Sequence, residues 1–184
     1  MEEQINRVLG FWIDEIGPAG WYAQNDGIDA RCSGEFGALY EQAATRQLGT
    51  WMASPRGALA LVILLDQFSR NMFRGSGQAF AADRYCLSLA KGAIGRDHDL
   101  AIPEPQRKFF YMPLMHSETL TDQEQCLRMF LLRSPETGNE NVPHAIKHRE
   151  VIRRFGRFPS RNAALGRTDS DAERAYRAEG GYMS

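Results

Sequence analysis

Three short segments contain more polar side chains than the amphipathic pattern of a helix requires. They span residues 66–74, 109–118 and 148–162. The side chains in them that suit ligand binding or proton transfer are Asp66, Arg70, Asn71, Arg74, His116, Glu118, His148, Arg157, Arg161 and Asn162. A guanidinium group binds a carboxylate or phosphate through parallel hydrogen bonds, and a histidine beside a carboxylate acts as a general acid or base. The segments therefore point to one of these two kinds of chemistry.

Asp66 directly follows the apolar run 61–65, so we expect its side chain to be at least partly buried. A buried carboxylate needs a cationic or hydrogen-bonding partner, because an unpaired buried charge is strongly unfavourable. Arg70, four residues later, could pair with Asp66 if the helix continues. Two interpretations remain open, a structural ion pair between helices or one wall of a ligand pocket.

His116 and Glu118 follow Pro113, a residue expected to kink or end a helix. At a helix end, a histidine can act as an acid, a base or a ligand. A structural role, with the imidazole bonded to nearby backbone, is the alternative. Ser117 is adjacent to His116, but a catalytic triad is defined by spatial roles and not by adjacency in sequence.

Arginine is concentrated near the C-terminal end of the chain. Residues 149–167 contain six Arg and one acidic residue, whereas residues 1–50 contain eight acidic residues and three Arg. Arg157 and Arg161 are interleaved with aromatic residues, Gly and Pro, which favours a position near the interior. These guanidinium groups could recognise an anion, pair with the acidic N-terminal helices, or remain solvated.

His144 and His148 have the spacing that lets two imidazoles on one helix reach a single metal ion. The signal is weak, because the H-E-x-x-H pattern is absent and a third ligand would have to come from His116 or Glu118. The chain also contains no glycine-rich phosphate loop and no dinucleotide-binding fingerprint. We therefore predict no metal site and no cofactor.

Helical periodicity dominates the rest of the sequence. From Ile5 to Ile16 apolar residues recur at intervals of three and four, and polar residues occupy the opposite face. No segment alternates between apolar and polar residues as a half-buried strand does. We predict an all-α fold of about eight or nine helices in antiparallel hairpins, with a single domain over residues 1–184 and flexible last residues.

Local signals place several helix boundaries. Ser54 followed by Pro55 predicts a helix start, and the apolar segment 58–68 predicts a central helix buried on most sides. Residues 121–124 and 170–173 are typical of capping boxes that open helices. Further helices are predicted over residues 78–94, 105–114 and 142–155.

The composition excludes some classes of protein. With 22 basic and 23 acidic residues in 184, the net charge of −1 argues against a dedicated nucleic-acid-binding protein. The longest apolar run, residues 58–65, is far shorter than the roughly 20 residues of a membrane-spanning helix. The three cysteines form no C-x-x-C pair and are expected in the core as free thiols. We predict a cytoplasmic protein without membrane or nucleic-acid partners.

Four ordered segments resemble one bacterial family of unknown function. They are VLGFW at 8–12, LVILLDQFSRNMFRG at 61–75, FFYMPLMHSE at 109–118 and RFGRFPSRNAALGR at 154–167. The chain resembles domain of unknown function 924 (DUF924) over nearly its whole length. The resemblance implies an all-α fold similar to tetratricopeptide-repeat superhelices, and it implies no activity and no catalytic residue. Ser69 and Ser160 depart from the expected pattern, which suggests a shifted turn after Phe68 and a lost contact near Pro159.

These observations leave three hypotheses for function. In the first, the ten polar residues line a pocket that binds a small anion or a peptide carboxylate. In the second, an enzyme uses His116 or His148 as general base and Asp66 or Glu118 to orient it, which requires a histidine–carboxylate distance within about 3.2 Å facing a cavity. In the third, the protein is structural or forms oligomers, internal ion pairs consume the arginines, and an apolar patch is exposed.

Overall fold

The computed structural model describes residues 1–182, which form helices joined by short loops. The α-helices are α1 (Glu2–Leu9), α2 (Gly17–Gly20), α3 (Asp26–Ala44), α4 (Pro55–Ile63), α5 (Ser69–Met72), α6 (Asp83–Ile94), α7 (Met112–Met115), α8 (Leu120–Arg133), α9 (Gly138–Phe155) and α10 (Asp171–Ala178). Over this range there is no strand, and the predicted all-α class is confirmed. The tetratricopeptide-like superhelix and the single-domain organisation stay predictions. Part of the predicted flexible C-terminal end, residues 183–184, lies outside the described residues.

Helical turns of other types extend or join the α-helices. The π-helical turn Gly10–Ile16 extends α1, and the π-helical turn Leu64–Phe68 joins α4 to α5. Four 3₁₀ turns lie at Gly49–Ala53, Gly77–Phe80, Gln106–Phe110 and Pro159–Arg161. The helices predicted over 78–94 and 105–114 are therefore each divided into a 3₁₀ turn and a shorter α-helix. Pro113 lies in the first turn of α7, where a helix tolerates proline, so it begins a helix and does not end one.

Side-chain caps fix two of the predicted helix starts. The Ser54 hydroxyl accepts a 3.1 Å hydrogen bond from the Gly57 amide, and Pro55 occupies the first turn of α4. At the start of α10, Ser170 and Glu173 form the predicted capping box. These starts are encoded within four residues of sequence, which is why local reasoning places them.

Two other predicted boundaries are wrong. Residues 121–124 do not cap α8, because this helix begins at Leu120 and all four residues lie inside it. The start is fixed by Ser117, whose hydroxyl accepts from the Thr119 amide and donates to the Asp122 carboxylate at 2.6 Å. Helix α9 begins at Gly138, four residues before the predicted start.

Helix α4 is the central helix of the fold, as predicted. Each of residues 58–65 is buried, and α1, α6 and the turns at 49–53 and 106–110 pack around α4. The next turn is fixed by Phe68, whose ring centroid lies 5.6, 5.4 and 4.9 Å from those of Phe11, Trp12 and Phe36. Because edge-to-face aromatic packing is both close and directional, these contacts hold the backbone around Asp66 in place.

Two further predictions concern membrane-spanning helices and the three cysteines. None of the helices in residues 1–182 combines the length and the apolar character that a membrane crossing requires. Cys32, Cys86 and Cys126 are buried free thiols, which confirms their predicted place in the core.

Substitution of Gly57 tests how closely α4 approaches the turn before it. We expect Gly57→Ala to destabilise the protein by about 1–3 kcal/mol, because the new Cβ would overlap the carbonyl oxygen of Trp51. Gly34→Ala in α3 is the matched control: it meets open space, so we expect a stabilisation of about 0.5–1 kcal/mol. Urea unfolding of both variants measures the difference, and equal effects would contradict the close approach.

Candidate functional site

Asp66 is the organising residue of the candidate site. Its side chain is 1% exposed, and its Oδ1 lies 2.7 Å from Nδ1 of His116 and 3.2 Å from Nη1 of Arg70. The Gln67 amide donates to Oδ2. The predicted pairing of Asp66 with Arg70 is therefore confirmed, and the same carboxylate binds a histidine 50 residues away.

The π-helical turn determines where Asp66 points. Within Leu64–Phe68 all five residues are buried, so Asp66 and Gln67 face the interior as well as the apolar residues beside them. Turns of this type occur mostly as single bulges in α-helices and frequently at functional sites. The helix continues through Ser69, whose hydroxyl donates to the Asp66 carbonyl at 3.1 Å, and a shift of this turn relative to the family pattern stays a prediction.

His116 is held by the segment that follows α7. His116 is the C-cap residue of that helix, at the end where the sequence placed it, and its backbone N–H donates to the Met112 carbonyl at 2.9 Å. Buried Gln123 of α8 fixes the segment, because its amide donates to the carbonyls of Met115 at 2.6 Å and Ser117 at 2.7 Å. Sequence reasoning missed Gln123, and nothing in its neighbourhood distinguishes it from other polar residues of an amphipathic helix.

The charges around this pair set its protonation. Burial raises the pKa of the Asp66 carboxyl, but Arg70 and His116 outweigh it and hold that pKa well below its ordinary value. Burial and the Arg70 charge lower the pKa of His116, against the attraction of Asp66. At neutral pH Asp66 is thus ionised and His116 is neutral.

His116 faces a pocket of about 420 Å³, which we call the Arg161 pocket. Its polar lining consists of Asp83, Arg84, His116, Ser117, Glu118, Thr119, Arg161 and Arg167. The apolar lining consists of Phe80, Leu87, Pro113 and Leu165. A cavity of this size with convergent polar groups and an apolar wall has the features of a small-molecule site.

Arg161 is the least paired of the four arginines predicted for the site. The residue is 8% exposed, and its Cζ lies 4.7 and 4.6 Å from the ring centroids of Phe80 and Phe158. Within the described chain, its guanidinium has one carboxylate contact, at 3.5 Å with Asp83. Burial and the neighbouring Arg70 charge lower its pKa to about 10.

The other three arginines predicted for the site, and Arg167 of the pocket lining, are engaged by carboxylates. Bidentate contacts of 2.6–3.1 Å join them to acidic residues in the pairs Arg70–Asp83, Arg74–Asp29, Arg157–Glu173 and Arg167–Glu118. Internal pairing therefore accounts for much of the arginine content. Among the ion pairs of residues 1–182, none joins segment 149–167 to residues 1–50, so the proposed docking of the acidic N-terminal helices on this segment is wrong.

Glu118 connects two segments and does not orient His116. One of its oxygens accepts the Phe158 amide at 2.9 Å, and both oxygens bind Arg167 at 2.8 Å. Although burial raises the pKa of Glu118, the hydrogen bonds from Arg167 and Phe158 outweigh it, and the net pKa is lowered. The carboxylate that orients His116 is Asp66.

The remaining predicted residues lie around this centre. Asn71 and Arg74 line a second cavity of about 150 Å³, which His116 also borders. The Asn162 amide donates to Asp169 at 2.7 Å, and Asn162 does not line the Arg161 pocket. Of the ten predicted residues, His116, Glu118 and Arg161 line the Arg161 pocket, and the other seven lie outside its lining.

His148 lies behind His116, with its ring centroid 6.4 Å away. The side chain packs against Phe158 and Tyr182, and Nδ1 donates to the His144 carbonyl at 2.8 Å. Burial lowers the pKa of His148 to about 4, and the charges of His116 and Arg161 add to this effect. In the described part of the chain, no cluster of three or more His, Cys, Asp or Glu side chains is arranged to hold a metal ion.

We expect His148 to make the protein less stable below neutral pH. Its pKa of about 4 in the folded state lies below the ordinary value of about 6.5, so the unfolded chain binds the extra proton between these pH values. The stability contributed by neutral His148 is complete above about pH 6.5 and is lost as pH falls towards 4, at up to about 1.4 kcal/mol per pH unit. Urea unfolding at several pH values in this range should show that the free energy of unfolding depends less on pH in His148→Gln than in the wild type. An unchanged pH dependence would contradict the assignment.

The helical fold and the buried Asp–His pair beside an arginine-lined pocket define an all-α protein with a polar cavity among its helices. The model of the family described as bacterial protein of unknown function (DUF924) matches residues 8–181, and the chain belongs to this family. A solved structure titled as a protein of unknown function, ATU0120 from Agrobacterium tumefaciens, is 35% identical, with a TM-score of 0.91 over 97% of this chain and 99% of that one. No curated protein matches the chain.

Proposed function

We propose that this protein binds a small anionic molecule bearing a carboxylate in the Arg161 pocket. The observation that supports the proposal is the buried Arg161 guanidinium, which has one long carboxylate contact within residues 1–182. A buried cation with an incomplete set of acceptors is unfavourable, and an anionic ligand supplies both the missing charge and the missing acceptors.

A carboxylate suits this environment in shape as well as in charge. Phe80 and Phe158 restrict the orientation of the Arg161 guanidinium, so little freedom is lost when a planar ligand group binds to it. The apolar wall of the pocket would contact the remainder of the ligand. The pocket lining contains three arginines and two carboxylates, a net charge of +1, which matches a monoanion better than a phosphate dianion.

A cytoplasmic location and the absence of nucleic-acid partners belong to the same proposal. Three buried free thiols are consistent with a reducing compartment. The net charge of −1 offers little general attraction for nucleic acid, and the arginines of the site are mostly neutralised by neighbouring carboxylates.

Substitution of Arg161 by methionine tests the proposal. Methionine keeps an apolar chain between the two phenyl rings and removes the guanidinium. We expect benzoate to bind the wild-type protein with a Kd of about 1 mM or below, and to bind Arg161→Met at least about tenfold more weakly. Isothermal titration with benzoate, hexanoate and inorganic phosphate is the measurement, and phosphate should bind more weakly than benzoate.

Arg174→Met on α10 is the matched control, because Arg174 is exposed and pairs locally with Asp171. Its affinity for benzoate should equal that of the wild type. Two results would overturn the proposal: equal benzoate affinities of wild type and Arg161→Met, or no binding of any of the three anions at about 10 mM.

A further inference from the structure

We propose that the Asp66–His116 pair is a general-base centre that hydrolyses carboxylic esters held in the Arg161 pocket. The inference rests on the proposed anion binding and adds a reaction to it. Asp66 Oδ1 and His116 Nδ1 are 2.7 Å apart, and His116 borders the same cavity as Arg161. In the described chain, the other imidazole nitrogen, Nε2, has no hydrogen-bond partner, so it is free to accept a proton.

The buried carboxylate determines which nitrogen of His116 carries the proton. Ionised Asp66 can only accept a hydrogen bond, so Nδ1 of His116 must donate and Nε2 keeps its lone pair. The Arg70 guanidinium lies 3.2 Å from the same Oδ1 and donates to the Asp66 backbone carbonyl at 2.7 Å, while the Gln67 amide donates to Oδ2, so both oxygens of the carboxylate are held in place. This arrangement is that of the histidine–aspartate part of a hydrolytic triad, recognised by geometry and not by sequence order.

The charged groups around His116 leave its imidazole neutral at rest, so that it can accept a proton during a reaction. Asp66 attracts a proton to the imidazole, whereas Arg70 and Arg161 repel it. His148 lies behind the ring and is itself neutral near pH 7, because burial lowers its pKa to about 4. The imidazole is therefore a base at neutral pH, and an adjacent carboxylate stabilises the imidazolium formed during the reaction.

Water is the nucleophile that this geometry favours. The Ser117 hydroxyl, although adjacent in sequence, donates to Asp122 at 2.6 Å and is committed to the start of α8. The three cysteines are buried, and burial raises the pKa of each thiol, which makes them poor nucleophiles.

The proposed step balances without any further reactant. His116 Nε2 takes a proton from water, and the oxygen attacks the ester carbonyl carbon to form a tetrahedral intermediate. The carbon–oxygen bond to the alcohol part then breaks, and the imidazolium returns its proton to the departing oxygen. The products are one carboxylic acid and one alcohol, and the imidazole is restored. Arg161 binds a separate carboxylate of the substrate, so the substrate class is esters that carry a second, anionic carboxylate.

4-Acetoxybenzoate is the probe for this activity, and phenyl acetate is its uncharged counterpart. We expect wild-type protein to hydrolyse 4-acetoxybenzoate and to prefer it over phenyl acetate in kcat/KM. His116→Gln should reduce the rate by about 100-fold or more, the usual contribution of a general base. Arg161→Met should remove the preference for the anionic ester. Release of 4-hydroxybenzoate followed by absorbance is the measurement, and Arg174→Met is the control expected to match the wild type.

Asp66 is a positioning residue, so its role needs a signature that a structural role alone would not change. We expect nitrogen-15 spectra near pH 7 to show the wild-type His116 in the tautomer protonated at Nδ1. Asp66→Asn should yield a mixture of tautomers, and Asp66→Glu should restore the Nδ1–H form in part. A wild-type spectrum showing imidazolium or the Nε2–H tautomer would overturn the assignment, even if an Asp66 variant failed to fold.

The outcomes separate the two proposals. Benzoate binding that depends on Arg161, with no hydrolysis above the uncatalysed rate, would overturn the general-base centre and leave the anion site intact. Hydrolysis that needs His116 but is indifferent to Arg161 would overturn the anion site and leave the general base intact. Hydrolysis unchanged in His116→Gln would also overturn the general-base centre.

Discussion

Replacing Asp66 by alanine should lower the free energy of unfolding by about 3–5 kcal/mol, the usual effect of removing one partner from a buried charge network. The carboxylate is 1% exposed and accepts hydrogen bonds from His116 and Gln67 while it pairs with Arg70. Without it, the Arg70 guanidinium keeps only Asp83 as a carboxylate partner, and the His116 Nδ1–H loses its acceptor in a buried position. Urea unfolding monitored by helical circular dichroism gives the value.

Glu150→Ala is the matched control for this prediction. Glu150 also pairs with two cationic residues, Arg149 and Arg153, but its side chain is 51% exposed. Exposed ion pairs contribute little, so the loss should be small compared with that of Asp66→Ala. If Asp66→Ala destabilised the protein no more than Glu150→Ala does, Asp66 would not be the organising residue of the site.

Replacing Phe68 by alanine should cost about 3–5 kcal/mol, because the ring is fully buried and its removal leaves a cavity. Three aromatic neighbours, Phe11, Trp12 and Phe36, lose their edge contacts at once. Their rings come from two segments, the π-helical turn Gly10–Ile16 and α3, and they cannot close the gap without moving the helices that carry them. Urea unfolding again gives the value. The urea concentration at the midpoint should fall, while the dependence of the unfolding free energy on urea concentration stays unchanged.

Leu132→Ala is the control for Phe68, since the Leu132 side chain is exposed and its truncation opens no cavity. We expect its effect to remain within about 0.5 kcal/mol. A similar loss in the two variants would mean that the aromatic contacts around Phe68 contribute no more than an ordinary surface residue.

The two predictions concern residues only two positions apart in the chain. Phe68 secures the π-helical turn against the core, and Asp66 in the same turn directs its carboxylate towards His116. The hydrophobic core thus carries a buried charge, which is unfavourable by itself. Local departures from a regular helix and an apolar core concentrate at functional sites, which agrees with the proposed role of this turn.

The sequence by itself determined the helical class, the central apolar helix and the starts of α4 and α10. Each depends on contacts within a few residues, namely the three-to-four periodicity of apolar side chains, or a serine cap with proline or glutamate nearby. The sequence also predicted that Asp66 is at least partly buried, because it directly follows five apolar residues, and that Arg70 could pair with it if the helix continued, as it does. It did not determine the start of α8, where the hydroxyl of Ser117 fixes the turn before the capping box that the pattern indicated.

The tertiary structure alone decided which polar residues meet. His116 reaches Asp66 across 50 residues, and Arg161 approaches Asp83 across 78. It also decided which arginine lacks a close carboxylate. Arg157 and Arg161 both lie among aromatic residues, Gly and Pro in the sequence, but only Arg157 forms a close ion pair, with Glu173. Local sequence reports the type and burial tendency of a side chain. Its partner depends on how distant helices pack, and that is set by the whole core.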